Sequence, residues 1–182
     1  MEIKRELEDK LKGLARKYPV VTVTGPRQSG KTTLVKEHIR NLKDAVYIDL
    51  ERISLNPENF AVEFAGNIIF WLLKKPQKEY KKFLLLENIL KAESELKSKN
   101  AFALVKTIEN ELLKIKPDQR LLVDCAFRLI QAIGKDTNKK IVIALDNFEN
   151  ILDLNNFSQM LIGKFYFHQV AKTFINQLFQ PL

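Results

Sequence analysis

The sequence predicts an α/β fold in which helices cover both faces of a parallel sheet. Short apolar runs at residues 20–24, 45–50 and 141–145 each predict a strand. Between them, apolar residues recur three and four positions apart, which predicts helices. Because continuous apolar runs suit strands that are buried on both faces, this order favours a three-layer α/β sandwich with a parallel sheet.

Composition supports a folded domain and excludes several kinds of site. The chain has 182 residues, of which 46% are hydrophobic and 29% charged, as expected for one globular domain with or without an appendage. Cys125 is the single cysteine, so an intramolecular disulfide and a cysteine-based zinc site are excluded. The formal net charge of +8 allows contact with polyanions.

The chain begins with an amphipathic segment, residues 1–18. Ile3, Leu7, Leu11 and Leu14 recur at helical spacing, and the pattern stops before Pro19. The predicted core follows over residues 19–155. Its first strand, 20–24, runs directly into a glycine-containing loop and then into a second helical pattern.

A large helical insertion is predicted between the second and third strands, over about residues 57–134. Breaks are expected near Pro76 and Pro117, because proline cannot continue a helix. Asp118 is suited to cap the next helix or to lie in its first turn as an acid. A short helix is expected at 148–154. A last helix, about 157–179, would occupy most of the C-terminal segment 156–182.

The loop after the first strand matches the pattern G-x-x-x-x-G-K-[ST] at residues 25–32. Glycines allow its backbone N–H groups to turn toward an anion, and the following helix adds the partial positive charge of its N-terminus. The motif predicts binding of the phosphates of ATP. The predicted ligands are Gly25, Pro26, Arg27, Gln28, Ser29, Gly30, Lys31, Thr32 and Thr33.

Three residues are expected to act on the phosphates and on Mg²⁺. Lys31 would neutralise the β- and γ-phosphates, and the Thr32 hydroxyl is a suitable Mg²⁺ ligand. Asp146 follows the third strand and would help to hold the same ion. The alternative for Asp146 is a helix cap, and Asp49, at the end of the second strand, is the competing acid.

Hydrolysis also needs a group that takes a proton from the attacking water. Asn147 follows Asp146, and a neutral amide cannot accept that proton. Glu149 is the predicted substitute, although an acid in the first turn of a helix also suits the helix dipole. A glutamate at position 147 is therefore expected to raise turnover by about 100-fold.

Together these segments resemble the archaeal-type AAA/STAND ATPases of the P-loop superclass. The resemblance lies in residues 21–34, 47–50 and 141–150, and it covers roughly 1–155. It implies that Lys31 contacts phosphates, that Thr32 and Asp146 serve Mg²⁺, and that Asn147 stands where the family usually has its catalytic glutamate. Such ATPases continue into a sensor strand that inserts between the P-loop strand and the acidic strand. The sequence shows no such strand, so the chain is expected to be a truncated core.

The predicted function is MgATP binding with weak ATP hydrolysis in the cytoplasm, with ATP and Mg²⁺ as cofactors and no membrane association. One alternative is a nucleotide-dependent switch that does not hydrolyse ATP. A second is a basic DNA-associated protein, for which the densest lysine cluster lies within residues 74–82. Aromatic residues crowd the C-terminal helix, so we expect residues 157–180 to self-associate or to bind a protein partner.

Overall fold

The structure is a computed structural model that describes residues 6–18 and 21–157. Two strands and a series of helices follow one another in chain order. The elements are α1 (Glu6–Lys17), α2 (Lys31–Arg40), β1 (Ala45–Asp49), α3 (Pro57–Leu72), α4 (Leu86–Lys91), α5 (Glu93–Leu96), α6 (Lys99–Leu112), α7 (Gln119–Thr137) and β2 (Val142–Asp146). Shorter 3₁₀ helices cover Leu50–Arg52, Gln77–Leu84 and Phe148–Phe157.

In the described part of the chain, β1 and β2 form a two-stranded parallel sheet. Ala45 pairs with Val142, and Asp49 pairs with Asp146, so both strands end at the same edge in an aspartate. Helices α3 to α7 connect the two strands. The long crossover is what parallel pairing requires, because the chain must return to the same end of the sheet.

The sheet lies between two helical layers, which confirms the predicted three-layer α/β architecture. Val46 and Ile48 belong to the large core shared with α3 and α7. Ala45 and Tyr47 point to the opposite face and pack with Ile39 of α2. Residues 45–48 are all buried, as an apolar run covered on both faces should be.

Most of the core lies inside the predicted insertion. Phe60 and Phe64 of α3 are fully buried, and each ring contacts Phe127 of α7, with centroids 5.7 and 5.1 Å apart. The predicted cap at Asp118 is confirmed, since its side chain accepts a hydrogen bond from the Leu121 N–H. Helix α7 continues past Gly134 to Thr137, further than predicted.

The longer α7 has a local cause. Asn138 takes the left-handed conformation and ends the helix, and the Lys139 N–H then donates to the Gly134 carbonyl at 2.9 Å. A Cβ on Gly134 would lie 3.0 Å from the Lys139 carbonyl oxygen, so glycine permits this close return of the chain. Gly134, one turn before the end of α7, therefore makes room for the backbone contacts that end the helix.

The predicted first strand is wrong for the residues that the structure describes. Residues 21–24 form no strand, and the sheet hydrogen bonds of the described chain join only β1 and β2. A β-branched run becomes a strand only when a neighbour satisfies its N–H and C=O groups. Val21 and Val23 are half-buried, whereas Thr22 and Thr24 are exposed, so the alternation of the side chains persists.

Two further predictions concern the ends of the chain and membranes. The C-terminal helix at 157–179, and with it the predicted self-association through residues 157–180, lies outside the described residues. None of the helices within the described ranges is both long and apolar enough to cross a bilayer.

Candidate functional site

The phosphate-binding motif forms a loop that leads into α2. Gln28 and Gly30 have φ of 60° and 83°, and the Ser29 N–H donates to the Pro26 carbonyl at 3.4 Å. Gly30 occupies the N-cap of α2 in the left-handed conformation, and no side chain caps the helix. The first-turn N–H groups of a helix have no acceptor within it, so this end of α2 offers donors to an anion.

Lys31 already bonds to the loop that it follows. Its ammonium group donates to the carbonyls of Gly25 at 2.8 Å and of Pro26 at 2.7 Å. An ammonium has three N–H donors, so one donor is left over, and an anion could exchange with either carbonyl. The charge of Lys31 is thus held at the mouth of the loop, within reach of any group that the loop binds.

Thr32 and Asp146 meet across the site, although 114 positions separate them in the sequence. The Thr32 hydroxyl donates to Asp146 Oδ2 at 2.7 Å, and the Tyr47 hydroxyl donates to the same oxygen at 2.7 Å. Burial raises the pKa of the Asp146 carboxyl, but hydrogen bonds from Tyr47, Thr32 and the Asn147 N–H outweigh it, and the pKa is lowered overall. Asp146 is therefore a carboxylate at neutral pH.

Burial and the bond to Asp146 have the opposite effect on Tyr47. Both raise the pKa of its phenol, so it stays a neutral donor at neutral pH. The ammonium group of Lys36 lies 4.8 Å from the centroid of its ring and contributes to the positive potential around Asp146. Sequence reasoning did not single out Tyr47 or Lys36. Tyr47 lies two residues before Asp49 near the end of its strand. Because parallel strands end at the same edge of the sheet, this position could have indicated that Tyr47 lies near Asp146.

The oxygens around Asp146 fit a magnesium ion. The Thr32 hydroxyl and a carboxylate oxygen converge within 2.7 Å, and hard oxygen ligands are the kind that Mg²⁺ prefers. Among the described residues, no group of three His, Cys, Asp or Glu side chains could hold a metal by itself. An ion at this position would therefore take further ligands from water and phosphate, as Mg²⁺ usually does in phosphate sites.

Asn147 ties the ends of the two strands together. Its side-chain N–H group donates to Asp49 Oδ1 at 2.8 Å and to Glu51 Oε2 at 3.3 Å. Its φ of 53° is left-handed, a conformation that asparagine tolerates better than most residues. These contacts oppose the expectation that a glutamate at position 147 speeds hydrolysis, because its carboxylate would face two others.

Comparison with known proteins agrees with this geometry. Residues 17–98 match the family model for an AAA domain. The chain is also 30% identical over 161 residues to an uncharacterized ATP-binding protein of Pyrococcus abyssi. Both matches support an archaeal-type AAA P-loop domain in this chain. The match includes 79% of the chain but 46% of the relative, so the chain spans about half of that protein's length. No solved structure gives a significant match.

Other predicted site residues lie at the surface of the protein. Arg27 and Thr33 are exposed beside the loop. Glu149 is exposed in the 3₁₀ helix Phe148–Phe157 and, among the described residues, makes no hydrogen bond to Thr32 or Asp146. In the lysine cluster, Lys75 pairs with Glu95 at 2.6 Å.

Asp49, the competing acid, is engaged elsewhere. Its Oδ1 accepts a hydrogen bond from the Glu51 N–H at 3.2 Å and so caps the 3₁₀ helix Leu50–Arg52. Its Oδ2 pairs with the guanidinium of Arg52 at 3.2 Å. Thr32 contacts Asp146 and not Asp49, so the geometry favours Asp146 as the acid that works with the loop.

Proposed function

We propose that residues 19–155 form a nucleotide-binding core that binds ATP with Mg²⁺ and hydrolyses it slowly. The observation that carries this proposal is the hydrogen bond between Thr32 and Asp146 at 2.7 Å. It brings the start of α2, where the phosphate loop ends, against the acidic end of β2. The description of the Pyrococcus abyssi relative as ATP-binding supports the same nucleotide.

The loop and Lys31 supply binding. The backbone N–H groups at the start of α2 would donate hydrogen bonds to the phosphates of ATP. The side chains of residues 25–33 that border the loop would add further contacts. The ammonium group of Lys31 would give up its hydrogen bond to the carbonyl of Gly25 or Pro26 and donate to a phosphate oxygen instead. Its positive charge would then lie against the phosphate. Thr32 and Asp146 would hold Mg²⁺, which supplies positive charge to stabilise the leaving phosphate.

The side chains around Asp146 prepare it for this role. Tyr47 is buried among apolar neighbours and donates its hydroxyl to Oδ2, while the Asn147 N–H donates to Oδ1 at 3.1 Å. Both oxygens are thus oriented before any ligand arrives, which lowers the entropic cost of binding. Hydrolysis is expected to be slow, because Asn147 cannot accept a proton from water.

Binding is tested by titrating labelled ATP in the presence of Mg²⁺ against the wild type and Lys31→Ala. The loss of one charge-assisted hydrogen bond of about 2 kcal/mol weakens binding by about 30-fold. Lys43→Ala, which removes the same charge from an exposed position after α2, is the matched control and should bind as the wild type does. Equal affinities for all three proteins would refute the proposed site.

Asn147 also favours a second candidate, a switch that binds ATP without hydrolysing it. The amide occupies the position after Asp146 and is bonded to Asp49 and Glu51. Phosphate release over many hours, measured with saturating MgATP, separates the two functions. Release that depends on Lys31 supports hydrolysis, whereas tight binding with no release above a buffer blank supports the switch.

A further inference from the structure

Glu51 is a carboxylate that the sequence did not single out, and it lies at the edge of the sheet where the site is built. It follows β1 in the 3₁₀ helix Leu50–Arg52, and its side chain is exposed. Glu51 Oε2 lies 3.3 Å from the amide nitrogen of Asn147, and Asn147 directly follows Asp146. A chain of contacts therefore runs from Thr32 through Asp146 and Asn147 to Glu51.

The carboxylates of Asp49, Asp146 and Glu51 differ in how many of their oxygens accept hydrogen bonds. Asp49 uses both oxygens for Asn147, Arg52 and the Glu51 N–H, so it has a structural role. Asp146 uses both oxygens for Thr32, Tyr47 and the Asn147 N–H. Glu51 shares one oxygen with Asn147, and its other oxygen, Oε1, accepts no hydrogen bond from the described residues. Of these three carboxylates, Glu51 is the one with an oxygen to which no described residue donates a hydrogen bond.

We propose that Glu51 is the general base for ATP hydrolysis and that Asn147 positions it; this rests on the function proposed above. Oε1 of Glu51 takes a proton from the attacking water, and the water oxygen forms a bond to the γ-phosphorus. The bond from that phosphorus to the bridging oxygen breaks, and its electron pair remains on the β-phosphate. The products are ADP and inorganic phosphate.

The proposal explains why an amide suits position 147. An asparagine donates to the carboxylates of Asp49 and Glu51 at once and neutralises neither. A glutamate in its place would lose both hydrogen bonds, and its carboxylate would repel the carboxylate of Glu51. In this arrangement the proton acceptor, Glu51, follows β1, whereas the amide of Asn147 follows β2 and holds the two strand ends together.

Three measurements on purified full-length chain test this: phosphate release, MgATP affinity, and the nucleotide retained after an hour with MgATP. Glu51→Gln keeps the shape of the side chain and removes its basicity. It should lower turnover by about 100-fold, leave the affinity unchanged, and retain ATP where the wild type retains ADP. Glu87→Gln, which changes an exposed carboxylate of α4, is the matched control and should turn over as the wild type does. Glu149→Gln is measured beside it. Because Glu51 and Glu87 are exposed, neither of their variants should alter the melting temperature.

The outcomes separate the two proposals. Turnover of Glu51→Gln within twofold of the wild type, or loss of MgATP affinity in this variant, overturns the role of Glu51 and leaves ATP hydrolysis by the wild type standing. No phosphate release by the wild type itself overturns both. Loss of turnover in Glu149→Gln with Glu51→Gln active would assign the base to Glu149 instead.

Discussion

The helical insertion and the nucleotide site are built on opposite principles. In the insertion, Phe60 and Phe64 are fully buried, and side chains cap α3, α6 and α7 at Asn56, Ser98 and Asp118. At the site, the start of α2 has no side-chain cap, and residues 24–29 are exposed. The insertion caps these helices with its own side chains and obtains stability from packing. The site leaves donors open for a ligand, which is the usual exchange of stability for function.

The largest effect is expected where two backbones touch inside the insertion. A Cβ on Gly66 of α3 would lie 1.7 Å from the Phe83 carbonyl oxygen, which belongs to the 3₁₀ helix Gln77–Leu84. Gly66→Ala should lower the free energy of unfolding by about 2–3 kcal/mol, although alanine is the better helix former. Urea denaturation measures this.

Gly13 in α1 provides the matched control, because a Cβ there meets nothing within 4 Å. Gly13→Ala should raise stability by up to about 1 kcal/mol through helix propensity alone. If the two alanine variants unfold at the same urea concentration, the close backbone packing at Gly66 does not contribute to the stability of the insertion, and the comparison fails.

An intermediate effect is expected at the site. Asn147→Glu should cost about 1–2 kcal/mol of stability, because it loses two hydrogen bonds and faces two carboxylates. It should not raise turnover. Asn147→Gly keeps the left-handed backbone and removes only the amide, so it should lose less stability than Asn147→Glu. A 100-fold gain in turnover for Asn147→Glu would contradict this and restore position 147 as the place for the base.

The smallest effect is a pH dependence at the contact between the start of α6 and the end of α7. Hydrogen bonds from Ser98 and from Asn100 lower the pKa of Asp136 below its ordinary value. A carboxyl whose pKa is lowered by folding stabilises the fold above its unfolded pKa, and this contribution is lost as the pH falls through the folded value. Because Asp136 is exposed, the contribution should be under about 1 kcal/mol.

Thermal unfolding of wild type and Asp136→Asn measures that contribution by difference. The wild type should melt higher at neutral pH, and the gap should narrow at acidic pH, as the carboxyl of Asp136 becomes protonated. A gap that is the same at both pH values would show that the hydrogen bonds, and not the charge, carry the effect.

Local chemistry in the sequence determined much of the architecture. The apolar runs predicted β1 and β2 within a residue of their observed ends, and the motif at 25–32 predicted the loop before α2. The two predicted proline breaks lie in the connections that follow α3 and α6. Each of these depends on neighbouring residues alone: side-chain period, the missing N–H of proline, or the conformational freedom of glycine. None required knowledge of what lies across the fold.

Only the tertiary structure decided which distant groups meet. Residues 21–24 have a strand's composition but no pairing partner among the described residues, and no local signal carries that fact. Tyr47 meets Asp146 across 99 positions, and Asn147 meets Glu51 across 96. These contacts follow from the register of the sheet, which places the ends of β1 and β2 side by side. Register depends on the packing of the whole helical insertion, so the side chains that surround Asp146 could not be read from its neighbours in sequence.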